Sequence, residues 1–374
     1  MYPFVTVYCR TIILTVNLRK SYKIGERMQV KREVVRKRLT DASIALTVKE
    51  VFEQSSCFVF NEGELVTFDG EVLTRAPSPF NDEITGAVRA SDFLKMLQRF
   101  PDDEVDISTR GNELIIKGRR RRAGITLMSE ILLPYDQVPR PGTMKKVNKD
   151  LQESLLQCAR VCGQDETAPK TTHVHIAKDR VEATDSYRVL QYTLSTGFPG
   201  SVLLHASSVF AICKQNLVKV GVDKNEGWCH FQTDDKMIIS AIVSREKYYD
   251  KEMIDEFFEV EGETVSLPKN LVEILDRASV MDTPSSSIGD WESQVTLSFS
   301  EGQLKVSSRK DGGWFRETKR IKYDGPDIVF TIHPLFLKEL IKKTYRVIIS
   351  KERMLAVIDG LRFVASLEAQ EKDD

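Results

Sequence analysis

The stretch Val181-Glu182-Ala183-Thr184-Asp185-Ser186-Tyr187-Arg188-Val189-Leu190 reads as a strand, a tight polar turn and a second strand. Asp185 and Ser186 suit the turn, because their short side chains bond nearby backbone groups. Val181, Val189, Leu190 and Tyr192 suit a pleated, half-buried surface on either side. One such hairpin decides nothing. Its weight comes from two counterparts. Upstream stands Gly63-Glu64-Leu65-Val66-Thr67-Phe68-Asp69-Gly70-Glu71-Val72-Leu73, and downstream Gly302-Gln303-Leu304-Lys305-Val306-Ser307-Ser308, followed by the turn Asp311-Gly312-Gly313.

Each hairpin sits between two amphipathic helices. The first helices are expected over about Lys31–Leu46, Asn148–Cys162 and Pro268–Met281. Their apolar stripes, at helical spacing, are Val35, Leu39, Ala42 and Leu46; Leu151, Leu155, Cys158 and Cys162; and Leu271, Leu275, Ala278 and Met281. Asn148 is a natural N-cap, and Pro268 suits a helix start. The second helices are expected over Ser91–Phe100, His205–Leu217 and His333–Tyr345, with Phe210, Cys213 and Leu217 as the apolar residues of the middle one. Strand pairs follow each of them. The first helices begin near residues 31, 148 and 268, a period of about 117 and 120 residues. That is too long for a solenoid, so the chain reads as three similar domains. The expected bounds are 28–142, 143–258 and 259–374; residues 1–27 read either as an N-terminal extension, with Met28 as the start of the functional chain, or as an extra strand.

Composition bounds the function. Of 374 residues, 41% are hydrophobic and 29% charged, as in a soluble protein with real cores. The net charge of −1 gives no global field, so any nucleic-acid contact must rest on local basic faces. The six cysteines show no zinc spacing and no disulfide framework, which fits a reducing cytoplasm. The apolar run Thr11–Val16 is too short to span a bilayer. His173 and His175 share one face of a strand, without the further ligands a metal needs. No phosphate-binding loop and no nucleophile elbow is present, so neither a metal, a cofactor nor a catalytic constellation is expected.

Ala183-Thr184-Asp185-Ser186-Tyr187-Arg188-Val189 resembles the Ala-Thr-Asp-Gly-His-Arg-Leu signature of the bacterial sliding clamps, the β subunit of DNA polymerase III. Gln164-Asp165, Gly86-Ala87-Val88-Arg89-Ala90-Ser91-Asp92-Phe93, Gly118-Arg119-Arg120-Arg121 and Tyr248-Tyr249-Asp250 fit other parts of that pattern, from about Met28 to Leu367. The resemblance implies an α+β fold of three tandem clamp domains, each with two helices on antiparallel sheet. One chain would form half of a closed ring, a homodimer around duplex DNA. The implied function is a polymerase processivity factor without catalysis, served by a clamp loader. A divergent member of this kind suits a virus or mobile element.

The site residues follow. On the helix faces, Arg32, Arg36, Lys95, Arg99, Lys149, Lys214, Lys269, Lys338 and Lys342 are candidates for phosphate contact, which carries no sequence information and weakens with salt. By resemblance, Lys49, Gln164 and Lys170 join them from loops. The resemblance also implies a peptide cleft for polymerase and loader, lined by Thr184, Ser186, Tyr187, Arg188, Val189, Tyr249, Ile254, Val364, Ser366 and Leu367. Here Ser186 and Tyr187 replace Gly and His, and the family's Met-Pro-Met-Arg-Leu ending is absent. Arg119, Arg121, Val280 and Met281 are the implied dimer contacts. Their opposing segment, Trp314–Arg320, is itself mostly basic, with Asp311 and Glu317 as the obvious acidic partners. Two other readings stay open at this point: a clamp-derived adaptor that does not encircle DNA, and a hydrolase using carboxylates such as Asp69 and Asp185.

Overall fold

The computed structural model describes residues 27–80, 82, 84–223, 227–281, 294–310 and 312–369. The extension called over 1–27, apart from Arg27, lies outside the described residues, as do Asp311 and the side chain of Met281.

One order of elements is written three times. The first unit runs β1 (Met28–Lys31), α1 (Arg32–Ala42), β2 (Cys57–Asn61), β3 (Glu64–Phe68), β4 (Val72–Pro77), β5 (Gly86–Arg89), α2 (Ala90–Arg99), β6 (Glu104–Arg110), β7 (Glu113–Lys117) and β8 (Arg122–Met128). The second runs β9 (Lys145–Lys146), α3 (Leu151–Val161), a short α4 (Pro169–Thr172), β10 (His173–Ile176), β11 (Arg180–Thr184), β12 (Arg188–Thr193), β13 (Val202–His205), α5 (Ala206–Ile212), β14 (Leu217–Asp223), β15 (Trp228–Thr233) and β16 (Ile238–Ile242). A connecting helix, α6 (Lys251–Phe257), leads to the third: β17 (Glu263–Ser266), α7 (Leu271–Ala278), β18 (Val295–Ser300), β19 (Gln303–Lys310), β20 (Gly313–Arg320), β21 (Ile328–Ile332), α8 (Pro334–Ile341), β22 (Arg346–Ile349), β23 (Arg353–Ile358) and β24 (Leu361–Ser366). A short β25 (Glu368–Ala369) adds to β21.

Each unit builds two four-stranded antiparallel runs, β1-β6-β7-β8 with β5-β2-β3-β4 in the first, and the same pattern in the others. The runs fuse across units. β4 pairs with β16, Val72 opposite Ala241 and Leu73 opposite Ser240. β12 pairs with β24, Val189 opposite Val364 and Leu190 opposite Phe363. Both joints therefore link the same strand of one unit to the last strand of the next.

The period-two alternation of strands sorts the side chains. Phe58, Phe60 and Leu65 face the helices and pack with Val35, Leu39, Phe93 and Leu97. Cys57, Val59, Val66 and Phe68 face the other way, where Leu133 and Val138 of the first connecting segment cover them with Trp228. Tyr248, Ile254 and Phe258 of the second connecting segment cover Val189, Leu203, Leu355 and Val364 in the same manner.

The buried stripes Val35-Leu39-Ala42, Leu151-Leu155-Cys158 and Leu271-Leu275-Ala278 match the expected ones, but α1 ends at Ala42, short of Leu46, and α7 starts at Leu271, so Pro268 lies ahead of it rather than opening it. α3 and α5 differ as well. α3 starts at Leu151, because Asn148 Oδ1 accepts from the Asp150 amide at 3.0 Å and forms a turn ahead of the helix rather than capping it. α5 closes at Ile212, where tight backbone bonds from Lys214 to Ala211 and from Gln215 to Ile212 end it. Leu217 therefore opens β14, Val209 and Ile212 fill the core, and Phe210 is exposed. Among the described residues no helix is long and apolar enough to cross a membrane.

Candidate nucleic-acid interface and partner cleft

The hairpin between β11 and β12 is fixed by its own turn. Asp185 Oδ1 accepts from the amides of Tyr187 and Arg188, each at 3.0 Å. Thr184 Oγ1 donates to the Arg188 carbonyl at 2.8 Å and accepts from the Ser186 amide at 3.1 Å. Ser186 sits at φ +78°, the left-handed region that glycine adopts without strain. The glycine of the resembled signature would stand here.

Arg188 does not line a cleft. It is 2% exposed and clasps two units together. Its Nε donates to Asp185 Oδ2 at 2.8 Å, Nη1 to Glu339 Oε2 on α8 at 2.9 Å, and Nη2 to the Arg160 carbonyl ending α3 at 3.1 Å. The guanidinium also lies 3.8 Å from the centre of the Phe336 ring. A desolvated charge persists only when its donors are satisfied, and here they reach three separate elements.

Of the other expected cleft residues, Val189, Ile254 and Val364 are buried in one cluster with half-buried Tyr249 against it, and Tyr187, Ser186 and Ser366 are exposed beside it, whereas Leu367 is buried in the helix-side core with Phe363 and Ala365. Ser366 donates its amide to the Tyr187 carbonyl at 2.8 Å. The Lys170 ammonium stands 5.0 Å from the Tyr249 ring centre. Tyr248 and Phe258 of the same chain complete the buried cluster of Val189, Ile254 and Val364. α6 is held down by Arg362 Nη2 on Asp255 Oδ1 at 2.5 Å and by Arg353 Nη1 on the Glu256 carbonyl at 3.1 Å. Under it, Tyr248 stacks on His175 with ring centres 4.4 Å apart. His175 and Gln191 each bond Glu182 at 2.7 Å. Burial pushes the Glu182 carboxyl up, but those bonds outweigh it and hold the group below the usual carboxylate range.

The basic residues divide by availability. Lys95 and Arg99 on α2, Lys149, Lys214, Lys269 and Lys342 at helix ends, and Lys49 and Gln164 in connecting segments are exposed. Their side chains make no ion pair or hydrogen bond among the described residues. Arg36 is bound to Glu33, with Nε at 2.8 Å. Arg32 donates to the Leu97 carbonyl at 3.2 Å, between α1 and α2. Lys338 pairs with Asp276 at 2.8 Å.

Of the implied dimer contacts, Arg121 reaches Asp102 at 3.5 Å and Arg119 is exposed. Val280 is 73% exposed. Glu317, the expected acidic partner, is gripped instead by Arg277 at 2.7–3.0 Å. His173 and His175 bond separately, to the Pro169 carbonyl and to Glu182. Among the described residues no group of three His, Cys, Asp or Glu is placed to hold a metal. Cys158 and Cys162 are buried, and desolvation pushes both thiols up, which makes them inert.

Sequence reasoning missed Tyr248, Phe258, Asp255, Arg362 and Glu339. Tyr248 stood in a quoted motif, but nothing in one sequence marks Glu339 as the partner of Arg188, 151 residues away.

No protein-family model matches the chain, and neither does any curated protein. Solved structures do. A DNA polymerase III β chain from Streptococcus pneumoniae superposes with a TM-score of 0.78 at 16% identity, over 92% of this chain and 100% of that one. A β subunit from Thermotoga maritima gives 0.73 at 19%, with 92% and 100% covered. A Pseudomonas aeruginosa sliding clamp bound to griselimycin gives 0.76 at 16%, with the same coverage. The chain has the sliding-clamp fold.

Proposed function

We propose that this chain, with its sliding-clamp fold, is a DNA polymerase processivity factor whose two copies close a ring around duplex DNA. The observation that carries the reading is a joint left half-made at both ends. β4 finds β16, and β12 finds β24, but β20 has β19 as its one neighbour among the described residues. Its complement by position is β8, which meets β5 only at Leu127 and Met128. A second copy supplies the missing strand to each. Domains at 28–142, 143–258 and 259–374 would then make a six-domain hoop.

The exposed lysines and arginines of the helix faces would touch phosphate without reading sequence, which permits sliding. The chain would act by tethering, raising the effective concentration of polymerase at the primer end, and would catalyse nothing itself. Polymerase and loader peptides would dock at the hairpin cleft, and an external loader in the cytoplasm would open the ring. The test is retention after loading onto circular DNA, followed by linearisation. Retention on circles and release from linear ends is expected; equal retention on both refutes encirclement.

One observation favours a second reading, an adaptor that binds partners without closing. The turn leading into β8 carries Arg119, Arg120 and Arg121, and the opposing β20 carries Arg316, Lys319 and Arg320.

A further inference from the structure

Each internal joint is clasped by an arginine of the earlier unit and a carboxylate of the later one. Arg38 on α1 meets Asp235, in the turn between β15 and β16, at 2.6 Å. Arg188 meets Glu339 on α8 at 2.9 Å. Both acids have counterparts by position in the first unit. The turn between β7 and β8, where Asp235 would stand, is Gly118-Arg119-Arg120-Arg121. Glu339 is the sixth residue after His333, which precedes α8; the sixth after Arg89, which precedes α2, is Lys95. The edge of β8 therefore presents cations where the internal joints present acids.

The opposing strand does not compensate. β20 carries Arg316, Lys319 and Arg320 on exposed positions. Its one acid, Glu317, is bound by Arg277, and Asp102 beside the β8 turn is taken by Arg121. Among the described residues of the two strands, what remains to hold two copies together is uncharged: an open backbone edge on each strand, and Trp314, 65% exposed on β20.

We propose that the closing joint is a like-charged seam, so that self-association of this chain strengthens as ionic strength rises. The inference rests on the ring reading and deepens it. Opposed cations repel within a Debye length, about 30 Å at 0.01 M salt and about 3 Å at 1 M. Backbone pairing and apolar burial are not screened in this way. The chain's net charge of −1 leaves no general repulsion between copies to mimic the effect. DNA contacts weaken over the same range, because phosphate binding releases counterions. Salt therefore pulls the two halves of the function in opposite directions, and loading would be favoured where a partner or bound anion covers the seam.

Sedimentation equilibrium of the full chain from about 0.01 M to about 1 M sodium chloride tests this. The dimer Kd is expected to fall at least tenfold across the range. Arg120→Glu and Lys319→Glu each change an exposed side chain with no described contact; each is expected to tighten the dimer at low salt and flatten the dependence. A Kd that is constant or rises with salt, or variants that weaken the dimer, overturns the seam while leaving the ring. A chain that stays monomeric at every salt, in native and variant forms alike, overturns the ring reading together with the seam.

Discussion

The β4–β16 joint and the β12–β24 joint share a plan and differ in substance. Both begin with the same turn. Asp69 Oδ1 accepts from the amides of Glu71 and Val72, as Asp185 does from Tyr187 and Arg188. The first joint is then filled by apolar packing against Leu133 and Val138. Its one buried guanidinium, Arg75, donates to the backbone carbonyls of Tyr135 and Val138, at 2.8 and 2.9 Å. The second joint encloses Arg188 and Arg362 with the carboxylates of Asp185, Glu339 and Asp255. Both joints thus carry an ion pair, but Arg38–Asp235 at the first is part-exposed beside an apolar filling, whereas the second seals Arg188 and Asp185 from solvent and is the more fragile to a single deletion.

The largest expected effect breaks the second joint. Arg188→Met strands Asp185 and Glu339 without their cation, and a loss of about 3–5 kcal/mol is expected in urea unfolding. Arg75→Met removes two bonds to neutral carbonyls, and about 1–3 kcal/mol is expected. Equal losses would erase the distinction between the joints.

Acid sharpens it. His230, opposite Ser240 in the sheet of the first joint, is pushed down to about 4 by burial, with Arg75 adding to the effect. The unfolded chain takes this proton below about pH 6.5, the folded chain only near pH 4. The stability this group contributes is therefore whole above that range and declines between the two values, by on the order of 3 kcal/mol. Glu182, under the second joint, has its folded pKa depressed, so its contribution is lost only below the usual carboxylate range. Hydrogen exchange at pH 7 and pH 5 should show Ile239 losing protection before Leu190, and His230→Gln should remove the difference.

The smallest effect is a gain. Gly70, the counterpart of Ser186, sits at φ +103° without a side chain. Ser186→Gly should relieve the left-handed strain and stabilise by about 0.5–1 kcal/mol, after the entropic cost of glycine. A rise in the urea midpoint without a change in slope would confirm it; a fall would mean that the serine earns its place through contacts.

Much of the fold was legible because it is periodic. The stripes Val35-Leu39-Ala42 and Leu271-Leu275-Ala278 announce their buried faces, and three similar hairpins announce repetition. α5 was overextended because Leu217 kept helical spacing while belonging to the next strand. α6 was invisible: the acidic stretch around Asp255 reads as a boundary, and only the contact with Arg362 shows it to be a fastened helix. The cleft was half legible. Val189, Ile254 and Val364 do meet, but nothing local distinguishes an arginine that faces solvent from one, like Arg188, that is sealed between units by distant groups.

Were peptides to dock at the hairpin as proposed, the cover that α6 and its flanks place there would make the chain a competitor for its own site. A guest would first have to turn out Phe258, and exposing one such side chain costs about 1.5–3 kcal/mol. That would divide the intrinsic affinity by roughly ten to a hundred. Loose peptides would then be refused, and admission would fall to those carried in on a partner already anchored nearby.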